Sequence, residues 1–267
     1  MTNDLLEKVE DGVATLTMNR PEARNAMTGE MLEALTDALK RHGADRNIRA
    51  VVLTGNGDAF CAGGDVKGFA KSASSNTQSE FDLEDRVHNL RSGMEASRLI
   101  HEMPKPTIAV IPGPAAGAGL SLALACDFRI AADTAKLTTA FAKVGLAGDY
   151  GGSFFLTQLV GAAKARELYL TADVITGAEA EKLGIVTRAV PKEELAAEAQ
   201  KWIDKLANGP TIAMGYMKKN LNMAIDGTLK DVLDMEAMHM IRTFMTEDHK
   251  GAAKAFVEKK APEFRGR

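Results

Sequence analysis

The first clear pattern is alternation with period two. Val13, Thr15 and Thr17 alternate with Ala14, Leu16 and Met18, which predicts a half-buried strand stopped by Arg20-Pro21. Thr28 has N-cap chemistry, and Met31, Leu32, Leu35 and Leu39 follow at helical spacing. Residues 49–54 (RAVVLT) read as a buried strand ended by Gly55-Asn56-Gly57. The polar, Ser-rich stretch 71–82 reads as a loop or an irregular helix start, and a helix is predicted over 83–102. Strands are predicted over 107–111 and 128–131, with a helix over 120–125 between them. Further helices are predicted over 154–160, 163–170, 178–183, 192–208, 211–225 and 229–246. Strands alternate with helices in the first two thirds and helices fill the rest, which predicts an α/β core with a helical C-terminal region. Gly209-Pro210 is the best boundary, dividing 1–208 from 209–267.

Two glycine-rich turns stand out. Ala59-Phe60-Cys61-Ala62-Gly63-Gly64-Asp65-Val66-Lys67 follows a strand and is expected to open a helix. Pro112-Gly113-Pro114-Ala115-Ala116-Gly117-Ala118-Gly119 also joins a buried strand to a helix. Glycines let backbone approach a ligand, and a helix N-terminus supplies free N–H groups. Two such sources could converge on one developing oxyanion. Read singly, each is equally a tight turn with packing glycines. Neither carries a dinucleotide or phosphate-loop pattern.

Composition narrows the classes. The 267 residues are 45% hydrophobic and 26% charged, ordinary for a folded domain. Thirty-three Lys and Arg against 36 Asp and Glu leave a net charge of −3, so no global basic field draws the chain to nucleic acid. Two cysteines in apolar runs, Cys61 and Cys126, argue against a disulfide framework and for a reducing, cytoplasmic setting. The N-terminus lacks the apolar core of a secretory signal. Residues 107–126 carry no charge and could span a bilayer by length, but Pro112, Gly113, Pro114, Gly117 and Gly119 interrupt them. No membrane association is expected. The histidines lack metal-ligand spacing, so no metal site is expected.

Taken together, NRPEARNAM (19–27), AFCAGGDVKGF (59–69), PGPAAGAGLSLALACD (112–127), GAEAEKLGIVTRAV (177–190) and AFVEKKAPEF (255–264) resemble the enoyl-CoA hydratase/isomerase (crotonase) family, in order and over nearly the whole chain. The resemblance implies a spiral of ββα units with a helical C-terminal trimerisation region, assembled as a homotrimer or hexamer. It implies an acyl-CoA thioester substrate and no separate cofactor, CoA being part of the substrate. By position, the N–H groups of Gly64 and Ala118 would hold the thioester oxygen. Ala62, Asp65 and Val66 would line the CoA site, and Arg24 would lie near the CoA phosphates. Phe256 and Lys259 would complete that site from a neighbouring subunit. Many family members have glycine where this chain has Ala118; the N–H survives, and the methyl narrows the pocket.

The chain also departs from the family's hydratases. Their two active-site glutamates are replaced by Ser121 and Phe141. Hydration needs water activated at one carbon and a proton delivered at the next, work suited to paired carboxylates. One acid does occur nearby, in Gly145-Leu146-Ala147-Gly148-Asp149-Tyr150-Gly151-Gly152. The segment resembles the family's isomerase branches, in which an aspartate here shuttles a proton, as in dienoyl-CoA isomerases and isomerases of ring-epoxidised phenylacetyl-CoA. Moving a double bond from C3–C4 to C2–C3 takes a proton from C2 and returns one at C4, which one carboxylate can do. The plainer reading makes Asp149 an N-cap. The acyl pocket is expected around Phe69, Phe81, Ser121, Phe141 and Tyr150, with Glu84 or Asp85 as a remote second acid. An isomerase is the first reading and an enoyl-CoA hydratase the second. An acyl-CoA hydrolase or peptidase-like enzyme using Ser121 lacks an assignable base. An RNA binder is disfavoured by the charge.

Overall fold

The computed structural model describes residues 3–64 and 80–267, with side chains described from Leu83 in the second segment. The expected helix after the first glycine turn falls in the interval between them.

The large sheet has six strands: β1 (Leu5–Glu10), β2 (Val13–Met18), β3 (Ala50–Gly55), β4 (Thr107–Ile111), β6 (Phe128–Ala132) and β9 (Arg188–Val190). They lie in the order β1-β2-β3-β4-β6-β9. Only the β1–β2 hairpin is antiparallel. Strand β3 is buried over nearly its whole length, as a parallel strand covered on both faces should be. A smaller sheet joins β5 (Ala115–Ala116), β7 (Lys136–Thr138) and β8 (Ile175–Thr176). The chain leaves β4 for β5 and then forms helix α4 (Ala118–Ala125). It leaves β6 for β7 and then forms α5 (Gly152–Thr171). These two turns are successive ββα units, the repeat that the sequence motifs imply.

The remaining helices are α1 (Gly29–Ala44), α2 (Glu80–Gly93), α3 (Glu95–Glu102), α6 (Gly177–Lys182), α7 (Leu195–Ala207), α8 (Thr211–Asp226), α9 (Leu229–Phe244) and α10 (Glu247–Val257). Thr28 caps α1 as expected, its hydroxyl accepting from the Met31 N–H at 3.0 Å, and Met31, Leu35 and Leu39 are buried. The helix predicted over 83–102 is two helices broken at Met94, just after Gly93, a poor helix former. The helices predicted over 154–160 and 163–170 are the two halves of α5, kinked at a non-helical Gly161 (φ 74°) at the expected gap. The last predicted helix ends at Phe244 because Thr246 caps another, its hydroxyl accepting from the His249 N–H. Among the described residues no helix is long and apolar enough to cross a membrane.

One buried cation ties α8 to the core. Lys218 Nζ donates to Asp127 Oδ2 at 2.8 Å and to the Ile100 carbonyl at 2.9 Å. Asp127 also accepts from the Thr107 N–H and hydroxyl, at the start of β4. Removing one partner of such a pair leaves a buried charge uncompensated. Lys218→Met is therefore expected to destabilise the fold by about 3 kcal/mol in urea unfolding; a loss below about 0.5 kcal/mol would show that the pair does not hold α8 in place.

Candidate active site

The two glycine-rich turns are zipped together. Cys61 bridges Ala115, the Ala116 N–H donates to the Cys61 carbonyl at 2.9 Å, and the Phe60 N–H donates to the Pro114 carbonyl at 3.0 Å. A Cβ at Gly119 would stand 2.4 Å from the Cys61 carbonyl oxygen and 2.7 Å from its Sγ. Only glycine permits that approach. The NRPEARNAM segment grips the first turn from the other side. The Met27 N–H donates to the Gly63 carbonyl at 2.8 Å, and the Ala62 N–H to the Arg24 carbonyl at 2.9 Å. Asn25 is fully buried, and its Nδ2 donates to the Ala59 carbonyl at 2.8 Å. The Cys61 thiol donates to the Asn25 carbonyl and accepts from the Gly63 N–H.

This clamp places Gly64 and Ala118 on the wall of one cleft of about 1030 Å³, which runs between α1 and α2. Ala118 is the first residue of α4, so its N–H has no carbonyl within the helix to meet. Among the described residues neither Gly64 N–H nor Ala118 N–H has a hydrogen-bond partner. Asp149 and Tyr150 line the same cleft.

Asp149 is not a cap. The N-cap of α5 is Gly151, and no side chain caps the helix. The Asp149 Oδ1 is buried without a partner among the described residues. Burial pushes its pKa up to about 6. The carboxyl is thus poised between its two protonation states near neutral pH, as a proton carrier requires. Tyr169 packs behind this turn. A Cβ at Gly152 would lie 2.5 Å from its hydroxyl, and a Cβ at Gly148 would lie 3.1 Å from its ring. Its pKa is pushed up to about 12, chiefly by burial.

Several expected residues take other positions. Ser121 does not line the cleft. It is buried beneath Gly152 and donates to the Gly117 carbonyl at 3.2 Å, and among the described residues no histidine hydrogen-bonds to it. Phe141 stacks on Tyr169 at 6.0 Å and backs the Gly117 and Gly148 turns instead of facing the cleft. Arg24 is exposed beside the first turn, with Ala62 hydrogen-bonded to its carbonyl, and neither lines the cleft. Glu84 and Asp85 are exposed on α2 and do not line it either. Phe256, on α10, and Lys259, just beyond it, are exposed and lie outside the cleft of their own chain. Asp65, Val66, Phe69 and the Phe81 side chain lie outside the described residues. Asn25 and Tyr169 escaped the sequence reading. Asn25 stood inside a recognised motif without a role, and Tyr169 carried no local signal.

The raised pKa of Asp149 has a signed consequence for stability. The folded carboxyl holds its proton more tightly than an ordinary aspartate of pKa 3.8. The stability this supplies is fully present below about pH 3.8 and is lost as pH rises through about 6. Asp149→Asn cannot ionise, so its Tm should exceed that of the wild type by ~3 °C at about pH 8, and the gain should shrink at about pH 4. Circular-dichroism melts across that range check it; a pH-independent difference would contradict the assignment.

Comparison with known proteins fits this geometry. The profile of the enoyl-CoA hydratase/isomerase family matches residues 8–267. The chain is 36% identical over its full length, and over the full length of the relative, to the 1,2-epoxyphenylacetyl-CoA isomerase of Escherichia coli (strain K12). An enoyl-CoA hydratase crystal structure from Polaromonas sp. JS666 superposes with a TM-score of 0.89 at 31% identity, covering 97% of this chain and 99% of that one. An enoyl-CoA hydratase structure from Bacillus anthracis gives a TM-score of 0.89 at 31% identity, covering 99% and 100%. The chain therefore belongs to the enoyl-CoA hydratase/isomerase family and is an enzyme with the crotonase fold.

Proposed function

We propose that the protein is an acyl-CoA isomerase in which Asp149 shuttles a proton across an enolate held by the N–H groups of Gly64 and Ala118. The observation that carries this reading is the Asp149 Oδ1, buried without a partner among the described residues, in the cleft that Gly64 and Ala118 line. An unpaired buried carboxyl costs stability, and the cost is understandable if substrate supplies the partner.

The steps balance. Ionised Asp149 takes a proton from C2 of a 3-enoyl thioester. The C2–H electron pair forms a C1–C2 double bond as the carbonyl π pair moves to the thioester oxygen, giving a dienolate whose charge the two N–H groups stabilise. The C1–O double bond then re-forms, the C1–C2 pair moves to C2–C3, and the C3–C4 pair takes a proton at C4 from Asp149, whose acid proton exchanges with solvent, leaving the 2-enoyl thioester. No second acid is needed. A ring-derived thioester could rearrange through the same enolate.

The alternative is hydration of a 2-enoyl-CoA, with Asp149 and a positioned water in place of paired carboxylates. The hydratase names of the solved relatives favour it. Hydrolysis through Ser121 has no support from the geometry, since its hydroxyl is buried and hydrogen-bonded to the Gly117 carbonyl and to Tyr169.

Mass spectrometry of products formed in heavy water from 2-enoyl-CoA and 3-enoyl-CoA separates the readings. Isomerisation gives an unchanged skeleton with exchanged protons; addition of one water would overturn it in favour of hydration. Asp149→Asn should reduce isomerisation by at least ~100-fold while acyl-CoA binding changes little. Because the base must be ionised, wild-type kcat/KM should rise with pH through about 6. A variant as active as the wild type would sink the proton-shuttle role.

The site is also proposed to be completed in a homotrimer or hexamer. Leu221, Leu229, Ile241, Met245, Phe256 and Val257 expose large apolar side chains on and beside the C-terminal helices. Light scattering is expected to give the mass of three or six chains at micromolar concentration, and a stable monomer would count against Phe256 and Lys259 serving a neighbour's site.

A further inference from the structure

A second cavity lies on the other side of Tyr150. Its volume is about 430 Å³, and Tyr150 lines both it and the Asp149 cleft. Tyr150 is buried and holds a left-handed backbone conformation (φ 51°), uncommon for a bulky residue. Its hydroxyl reaches α2 at Gly93, where a Cβ would stand 3.0 Å from that oxygen. The Tyr150 ring therefore forms the partition between the two spaces.

The second cavity mixes aromatic walls with polar atoms. Phe154 and Phe155 pack against the His101 ring, at 6.1 and 5.2 Å between centroids. Ser97 is 4% exposed, and its Oγ has no hydrogen-bond partner among the described residues. Burial pushes the His101 pKa down, so its imidazole is neutral at physiological pH and offers one donor and one acceptor. Asn222 donates its Nδ2 to the His101 carbonyl. The charges that line the cavity disfavour an anion. Both of its arginines are already paired, Arg91 with Glu95 at 2.6 Å and Arg98 with Glu95 at 2.7 Å and Glu102 at 2.5 Å, and Glu102 and Asp226 line the cavity as well.

We propose that this cavity is a subsite for the distal end of the acyl group, with Tyr150 as the partition and Ser97 as the recognition group for an uncharged terminal hydroxyl. The subsite rests on the acyl-CoA reading above. A buried hydroxyl without a partner is costly, and a ligand hydroxyl would satisfy it. An aliphatic or aromatic acyl chain fits the phenylalanine walls, and a terminal carboxylate would meet Glu102 and Asp226.

The test is equilibrium binding, which does not depend on which reaction the enzyme performs. Butanoyl-CoA, octanoyl-CoA and ω-hydroxyoctanoyl-CoA are titrated calorimetrically into the full-length wild type and into Ser97→Ala. The wild type should bind the ω-hydroxy ester about tenfold more tightly than octanoyl-CoA. In Ser97→Ala that preference should fall to about unity, with butanoyl-CoA affinity retained as proof of folding. Tyr150→Ala should strengthen octanoyl-CoA binding relative to butanoyl-CoA by removing the partition. Absence of a hydroxyl preference in the wild type, or its survival in Ser97→Ala, would overturn the subsite. Failure of the wild type to bind butanoyl-CoA would overturn the acyl-CoA reading itself, and the subsite with it.

Discussion

The site depends on one close approach, that of Gly119 to Cys61. Two strand-to-helix turns from different parts of the chain come within van der Waals distance only because Gly119 has no side chain. The backbone bonds between residues 60–61 and 114–116 then fix their register. From this follow the position of α4 and the direction of the Ala118 N–H. The parallel sheet supplies the rest, since β3 and β4 deliver both turns at the same edge. Oxyanion stabilisation works through donors that need no reorganisation during reaction, and a backbone clamp meets that demand more rigidly than side chains could.

The electrostatics of the cleft rest on desolvation more than on charge pairing. Among the described residues no cation lowers the Asp149 pKa, and burial raises it. Tyr169 and Phe141 stack behind the turn and exclude water from its rear face. The same burial raises the Tyr169 hydroxyl, so the phenol stays neutral beside the carboxyl. One acid with both ionisation states accessible is thus obtained by packing, without the paired carboxylates that hydration ordinarily uses.

Much of this was legible in the sequence where the local pattern and the tertiary role coincide. Strand β4 was read at its observed bounds because five residues between Pro106 and Pro112 leave little choice. The Thr28 cap was equally plain. Strand β1 was missed because most of its residues are exposed, which hides the alternation that marks a strand. Strands β5 and β8 have two residues each, too short for any period to show. At the site, Gly64, Ala118, Asp149 and Tyr150 were named and do share a cleft. Ser121 and Phe141 were placed in the acyl pocket because matching a motif position does not fix the direction of a side chain. The chain turns Ser121 under Gly152 and Phe141 against Tyr169. The Asn25 clamp links residues 34 positions apart, and no periodicity reports a contact of that kind.

The cysteine inside the clamp bears on how such an enzyme survives its own chemistry. A 2-enoyl thioester is a Michael acceptor, and thiolates add to it readily. Cys61 lies three residues from Gly64 on the cleft wall, yet its thiol is fully buried and its pKa is pushed up to about 12. At neutral pH the thiolate fraction is then on the order of one in a hundred thousand. The sulfur also spends its hydrogen-bonding capacity on Asn25 and Gly63. A thiol that an enoyl thioester would alkylate if it faced the cleft is kept inert by being built into the wall.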